Sequence, residues 1–550
     1  MGCGQQPGPI IPSLLRYGRP APTRPIRLAS REMNFLPITL CFLAGLFICW
    51  GLIPIVRRVA LRANRPRSGD FHHTHRTQVP RLGGIAFAVA FAVIAVALLF
   101  AIAPATASIR TRGIIIIASL AMFGLGFWDD LRALGARVKL CGQVAIAAGV
   151  YFAGIQIEVF KVPFTNAEFS LGLFGFVATV LWLVALTNLI NLIDGIDGLA
   201  GGIGFMLMCL LANVCTGVDS QFSSLLAVGM AGALLGFLRF NFPPAKIYMG
   251  DGGAYFLGFL IGILSLANSH KGSVAAALIA PIFALALPIV DVCLAMLRRG
   301  LKGLPLFRPD QKHIHHRLLA FGFSRERAVL ILYTISFLCL FLGFGVFWSQ
   351  GRLLPLLAGS LFLILIVAAR SFGFIKDWFA GGNRLGRSLA LRKETRYALT
   401  LSQWLELEAE RRDSVYELWQ DYQFVVKKLG FAEVRLVLPD SANLWRLGGF
   451  DPQSGSLLRA RHETGGGSVI ELAADSSVLP EKAFELLSEL AAETWHKAAR
   501  RWQELNQAPI RFASVASPET SYFTRKLRGF SEPFRLKWLF RGRDFRAQST

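Results

Sequence analysis

Acidic side chains are scarce in this 550-residue chain: 35 Asp and Glu stand against 58 Lys and Arg, and charged residues make up only 17% of the whole. A net charge of +23 could suggest nucleic acid, but no stripe of basic residues interleaved with aromatics occurs. Lys and Arg sit instead beside long apolar runs, the pattern of cytoplasmic loops in membrane proteins. No Cys-x-x-Cys pair is present. Seven of the eight cysteines (Cys41, Cys49, Cys141, Cys209, Cys215, Cys293 and Cys339) lie within apolar runs, and Cys3 alone does not. These cysteines read as small buried apolar residues rather than disulfides or zinc ligands. The P-loop and dinucleotide glycine patterns are also missing, as are internal repeats and a Gly/Ser linker.

What is abundant is apolar sequence. Hydrophobic residues reach 53%, concentrated in uncharged runs that stop near Ala369. About eleven segments suit a bilayer of ~20 helical residues. They are Phe35–Val56, Leu82–Ala103, Gly113–Phe127, Leu140–Ile157, Leu171–Ile193, Leu199–Cys215, Leu225–Phe240, Tyr255–Ala267, Val274–Leu297, Val329–Trp348 and Leu353–Ala369. The third and eighth are short. Basic residues crowd the loops after the first span (Arg57, Arg58, Arg62) and the ninth (Arg298, Arg299, Lys302), which puts those loops inside, the N-terminus outside and the C-terminus in the cytoplasm. The fold class expected is therefore an all-α polytopic membrane bundle followed by a soluble α+β domain.

The expected divisions are an unstructured or untranslated extension over 1–32, with Met33 as the start, and a transmembrane domain over 33–370. A helical connector over 371–428, a small α+β domain over 429–505 and a basic tail over 506–550 follow. In the soluble part Ala432–Leu438, Ser456–His462 and Gly467–Leu472 read as strands, and Glu481–Leu505 as an amphipathic helix. The order of elements is GAF-like.

Polar clusters in the membrane region all fall on the cytoplasmic side. Asp129 and Asp130 end the third span, where two carboxylates at the negative end of a helix call for a cation or a proton. In NLINLIDGIDGLAGG, Asn188 and Asn191 share a helix face that Asp194 continues, and Asp197 follows between glycines. Oxygen donors gathered there suit Mg²⁺, with Mn²⁺ as an alternative. FPPAKIYMGDGG places Asp251 in a glycine-rich turn, and HIHHRLL supplies His313, His315, His316 and Arg317, a set better suited to anionic phosphate than to the alternative of zinc, for which no cysteine or clear fourth ligand stands nearby. A further His-rich stretch runs from His72 to His75.

In order along the chain, HRTQVPRLGG, Asp129-Asp130, NLINLIDGIDGLAGG, FPPAKIYMGDGG and HIHHRLL resemble the polyprenyl-phosphate N-acetylhexosamine-1-phosphate transferases, relatives of the phospho-N-acetylmuramoyl-pentapeptide transferases. The resemblance covers about Phe35 to Ala369 and leaves the soluble part outside. It implies Asn191 and Asp251 as Mg²⁺ ligands, and Asp129 and Asp130 as the pair that handles the lipid phosphate. It also implies phosphate contact by Lys139 and donor binding by the HIHH segment. Asp194 and Asp197 match family acids counted here as catalytic, and His75 and Asn188 fall within the substrate-binding set. Gln78 replaces a frequent Pro, and Gly252 a frequent Ser or Thr.

The reaction so implied is transfer of N-acetylhexosamine-1-phosphate, GlcNAc-1-phosphate first, from a UDP-sugar to undecaprenyl phosphate in the bacterial inner membrane, with release of UMP. A modified hexosamine donor is the alternative. The product would start a cell-surface polysaccharide: cell wall, O-antigen or exopolysaccharide. Direct attack and a route through a phospho-aspartate are both compatible with the residues. A homodimer and a partner for the C-terminal domain are left open; no nucleic-acid partner is expected. Of two other classes, a transporter would place ionisable groups at mid-membrane rather than at one face. A membrane-anchored sensor would not need a complete acidic site.

Overall fold

A computed structural model gives the fold and describes residues 2, 35–62, 79–102, 106–161, 168–214, 220–267, 281–304, 314–349, 353–371, 384–438, 441–448, 450, 457–465, 468–510 and 512. The first helices are α1 (Phe35–Arg62), α2 (Gly84–Ala101), α3 (Thr106–Leu131) and α4 (Ala136–Phe152). A short antiparallel hairpin, β1 (Val159–Lys161) and β2 (Glu168–Ser170), precedes α5 (Leu173–Ile193), α6 (Leu199–Val214), α7 (Ser220–Asn241) and α8 (Gly250–Ala267). The membrane region closes with α9 (Ala286–Lys302), α10 (Ile314–Ala320), α11 (Arg325–Trp348) and α12 (Leu354–Ser371).

Each of the eleven expected spans overlaps a helix. Seven, α1, α2, α3, α5, α7, α8 and α11, are long and apolar enough to cross a membrane, and shorter apolar stretches lie in α6, α9 and α12. The third and eighth segments, short as sequence, are among the seven. Their apolar runs are lengthened by polar ends that hydropathy discounts: α3 carries Arg110 and Arg112 near its start and Asp129-Asp130 at its finish, and α8 opens on Gly250-Asp251.

One helix organises the bundle. In α8, 94% of the apolar window is buried, against 17% in α1, so α8 is the axis and α1 a peripheral helix. It packs against α2, α3, α5 and α6, with Phe256 edge-on to Phe91 at 5.1 Å. Small residues allow the approach. A Cβ on Gly126 of α3 would lie 2.5 Å from the Asp251 carbonyl oxygen, and one on Gly258 of α8 the same distance from the Leu186 carbonyl oxygen of α5. Such contacts suit a bilayer, where apolar side chains gain little by leaving lipid and close packing must supply the attraction.

The C-terminal part has its own core. It comprises α13 (Arg384–Glu408), α14 (Val415–Lys428), β3 (Glu433–Val437), β4 (Ala442–Arg446), β5 (Leu457–Gly465), β6 (Ser468–Asp475) and α15 (Glu481–Asn506). The strands form one antiparallel sheet in the order β4-β3-β6-β5. The three expected strands and the long helix are present, and β4 adds a strand that the sequence reading did not include. The helical stretch to Lys428 is broken, because Ser414 caps α14 by accepting the Glu417 N–H at 3.2 Å. Leu405, Trp419, Val434, Leu472, Leu487 and Trp495 share this second core. The two parts meet where α9 ends: Gly303 takes φ +73°, a Cβ there would overlap Arg392 of α13, and Leu304 packs on the C-terminal core. Residues 1 and 3–34, and 513–550, lie outside the described residues, so the readings made for the two termini fall there too.

Candidate active site

Motifs distant in sequence are tied together at one end of the bundle, two of them by backbone hydrogen bonds. Tyr248 donates its N–H to the Pro80 carbonyl at 2.8 Å, and Gly83 and Gly84 donate to the carbonyls of Tyr248 and Met249 at 2.9 Å. This seats PRLGG against IYMGDGG. At Gly250, φ is +77° and a Cβ would overlap the Arg81 carbonyl oxygen, so only glycine makes this turn without displacing the neighbouring strand of chain.

The motif NLIDGIDG joins the same assembly through two side chains. Asp197 accepts the Ala245 N–H at 3.0 Å. Buried Asn241 accepts the Gly198 N–H and donates to the Ile247 carbonyl, each at 2.9 Å. Tyr333 of α11 donates its hydroxyl to the Gly198 carbonyl. One of the N–H groups that the glycine-rich start of α6 could offer to a phosphate is thus bonded within the protein.

The acidic pair has distinct environments. Asp130 accepts the backbone N–H groups of Asp251 at 2.9 Å and Gly252 at 2.8 Å. Its charge, unfavourable at the end of α3, lies at the positive start of α8, which compensates it. Asp129, 2% exposed, accepts the Leu134 N–H at 2.8 Å and forms an ion pair with Lys139. The cation that the pair calls for is therefore supplied in part by the chain. Lys139 also reaches Asp251 at 3.4 Å and bridges α3 to α8. In this structure the lysine is engaged by carboxylates at the place where phosphate contact was expected. At Gly252 a Cβ would sit 3.1 Å from the Phe127 nitrogen and 3.2 Å from Asp130, so the small residue fits a tight gap.

The face predicted for α5 divides. Asn188 is turned to α4, where its amide donates to buried Gln143 at 2.6 Å, and it also donates to the Val184 carbonyl one turn back in α5 at 2.8 Å. Asn191, one turn on, has no side-chain hydrogen bond among the described residues. Asp194 caps the C-terminus of α5 and is half-buried. Burial pushes its carboxyl well above the usual carboxylate range, the charges of Asp251 and Asp130 push the same way, and Arg81 opposes them. The mutual influence places Asp130, Asp194, Asp197 and Asp251 in one electrostatic neighbourhood, which Arg81 and Lys139 reach among the described residues.

His75 and His313 lie outside the described residues. His315, His316 and Arg317 fall on α10, whose first residue, Ile314, is buried. A cavity of about 50 Å³ separates Ile314 from the end of α5, with Leu192, Ile196, Leu287 and Asp291 among its lining. The histidine helix is therefore a neighbour of the acidic motif. Asn241, Gln143 and Tyr333 were not singled out from sequence. The signal available for Gln143 and Asn241 was a polar residue inside or ending a membrane helix.

The glycosyl transferase family 4 profile matches residues 113–269, from α3 through α8. A probable undecaprenyl-phosphate N-acetylglucosaminyl 1-phosphate transferase of Bacillus subtilis is 36% identical over 309 residues, covering 56% of this chain and 84% of that protein. A decaprenyl-phosphate N-acetylglucosaminephosphotransferase of Mycolicibacterium smegmatis is 28% identical, covering 61% of this chain and 88% of its own. A phospho-N-acetylmuramoyl-pentapeptide-transferase of Geobacillus is 30% identical, covering 57% and 97%. With several apolar helices of spanning length and membrane-enzyme relatives aligned over most of their own lengths, this multi-pass membrane protein belongs to glycosyl transferase family 4, the polyprenyl-phosphate N-acetylhexosamine-1-phosphate transferases.

Proposed function

We propose that the chain transfers GlcNAc-1-phosphate from UDP-GlcNAc to undecaprenyl phosphate and releases UMP, so starting a cell-surface polysaccharide. The observation that carries this reading is the acid cluster on which three motifs converge, with Lys139 between Asp129 and Asp251. The family relationship supplies the reaction class. The names of the Bacillus and Mycolicibacterium relatives support the hexosamine.

The donor set fits Mg²⁺. Asn191 has no protein partner among the described residues, and Asp251 presents a carboxylate beside Asp194 in surroundings rich in negative charge. Among the described residues no three His, Cys, Asp or Glu side chains form a ready-made cage. Mg²⁺ needs none, since it is commonly held by one or two carboxylates together with substrate phosphates. Bound there, it supplies neutralisation of the charge that develops on the diphosphate.

The chain's own groups do the rest. An oxygen of the lipid phosphate attacks the β-phosphorus of the UDP-sugar, a new P–O bond forms, and the bond to UMP breaks. In this reading Asp129, fixed by the Leu134 N–H and Lys139, orients the lipid phosphate or takes its proton. Asp130 holds the turn that presents Asp251. His315, His316 and Arg317 bring positive charge to the leaving nucleotide. The reading retains eleven spans in the inner membrane with the N-terminus outside, and a cytoplasmic, GAF-like C-terminal domain that is dispensable for the chemistry. Purified protein given undecaprenyl phosphate and a panel of UDP-sugars should release UMP fastest with UDP-GlcNAc. No release with any UDP-N-acetylhexosamine would overturn the reading.

A further inference from the structure

Three observations concern α9, which carries none of the residues discussed above as ligands. The carboxylate of Asp291, near its middle, accepts the backbone N–H of Ile314 at 3.2 Å. Ile314 is the first residue of α10, the helix that carries His315, His316 and Arg317. The first N–H groups of a helix have no partner within it and need an acceptor from elsewhere, and a carboxylate at that end is also favoured by the helix dipole. Here the acceptor comes from a residue 23 positions earlier, on a different helix.

The second observation is the wall in which Asp291 stands. Leu287, Pro288 and Val292 of α9 line the small cavity with Asp291, and across it lie Leu192, Gly195 and Ile196 at the end of the NLIDG motif. Ile314 is 5% exposed and lines the same space. Its side chain and its N–H are therefore both fixed against α9, one by packing and one by a carboxylate. This sets α10 at a defined distance from the acidic cluster.

Third, α9 is itself anchored. Its left-handed cap at Gly303 abuts Arg392, and Leu304 packs into the C-terminal core. Asp291 lies twelve residues before Gly303, roughly 18 Å along a helix at 1.5 Å per residue. The carboxylate thus hangs from a braced rod rather than from a loop.

We infer that Asp291 is a positioning residue for the donor side of the reaction: by holding Ile314 it sets the histidine helix against the acidic end of α5. Asp291 touches no substrate in this account. It acts through α10, so its loss should weaken the grip on the UDP-sugar while leaving the lipid side in place. The inference rests on the proposed function, in which the histidine helix meets the donor.

The test compares wild type, Asp291→Ala and Asp291→Asn, all full-length in detergent. Asp291→Asn keeps a carbonyl oxygen that can accept the same N–H. We expect Asp291→Ala to raise KM for UDP-GlcNAc at least about tenfold, the scale of a lost charge-assisted hydrogen bond. KM for undecaprenyl phosphate and the melting temperature should stay near wild type, and Asp291→Asn should restore KM for the donor to within about twofold. An unchanged donor KM in Asp291→Ala, or a parallel shift of both KM values with the melting temperature, would overturn the positioning role while wild-type turnover stands. Absence of turnover in wild type with every UDP-sugar is a different result: it removes the proposed function and this inference with it.

Discussion

In the membrane bundle Gly45 of α1 and Gly232 of α7 let two backbones touch, and a Cβ on either would overlap a carbonyl oxygen of the other helix. In the C-terminal domain the corresponding work falls to Trp419, Tyr422 and Trp495, with Trp495 5.5 Å from Trp419 and 5.1 Å from Tyr422, ring to ring. The contrast is the one expected of a part that packs in lipid and a part that packs in water. In water, burying a large aromatic removes much apolar surface and stabilises directly. In lipid that gain is absent, so contact distance and polar clamps such as Gln143–Asn188 hold helices together. The acidic cluster stands on the first kind of packing, since Gly126, Gly250 and Gly252 bring α3 and the turn before α8 close enough for Asp130 to cap Asp251 and Gly252.

This comparison can be broken most severely at the helix contact. Gly232→Leu should prevent recovery of folded, monodisperse protein in detergent, because the obstacle is the Phe42 carbonyl, which cannot swing aside. The cost should exceed the about 1–3 kcal/mol typical of overpacking by flexible side chains. A well-behaved Gly232→Leu protein would mean that α1 and α7 are not in backbone contact.

Asp251→Ala should leave the bundle folded and lower the transfer rate at least ~100-fold, since metal charge stabilisation contributes several kcal/mol. Excess EDTA should abolish turnover and Mg²⁺ or Mn²⁺ restore it. Full rates in EDTA would remove the metal from the account.

The same contrast decides what the sequence could disclose. The apolar runs and the acidic motifs were legible because bilayer length and intramembrane charge leave strong marks. The partners of the motif residues were not. Nothing local pairs Asp130 with the N–H groups of residues 251 and 252, or Asp197 with Ala245, because these bonds span 121, 122 and 48 positions. Asn188 read as part of one face with Asn191, yet Gln143 on the adjacent helix takes its amide. In the C-terminal domain, by contrast, a local signal existed and was passed over: Ser414-Val415-Tyr416-Glu417 has the spacing of a capping box and marks the break before α14.

In water, Trp495→Ala should destabilise the C-terminal domain by about 3–5 kcal/mol. Limited proteolysis of the full-length protein would then cut that domain far faster, with UMP release within about twofold of wild type. A matching loss of transfer would show that the two cores are one cooperative unit.

The smallest effect concerns His462, whose ring is 3.0 Å from the Ser488 hydroxyl. Burial lowers its pKa below the ordinary value, and Glu489 only partly opposes this. The folded domain therefore binds this proton less readily than the unfolded chain. Its contribution is present in full above about pH 6.5 and is lost as pH falls through the folded pKa. The proteolytic resistance of the domain should drop over that interval, and His462→Gln should flatten the profile. An unaltered slope would assign the pH response to another group.

The division of labour between the two regions is tested most directly by removing one. A protein ending near Ser371, purified in detergent and given undecaprenyl phosphate, UDP-GlcNAc and Mg²⁺, should still release UMP, because every residue assigned to the site precedes that point. A truncated protein that is folded yet inactive would contradict the account and place part of the catalytic machinery in the C-terminal domain.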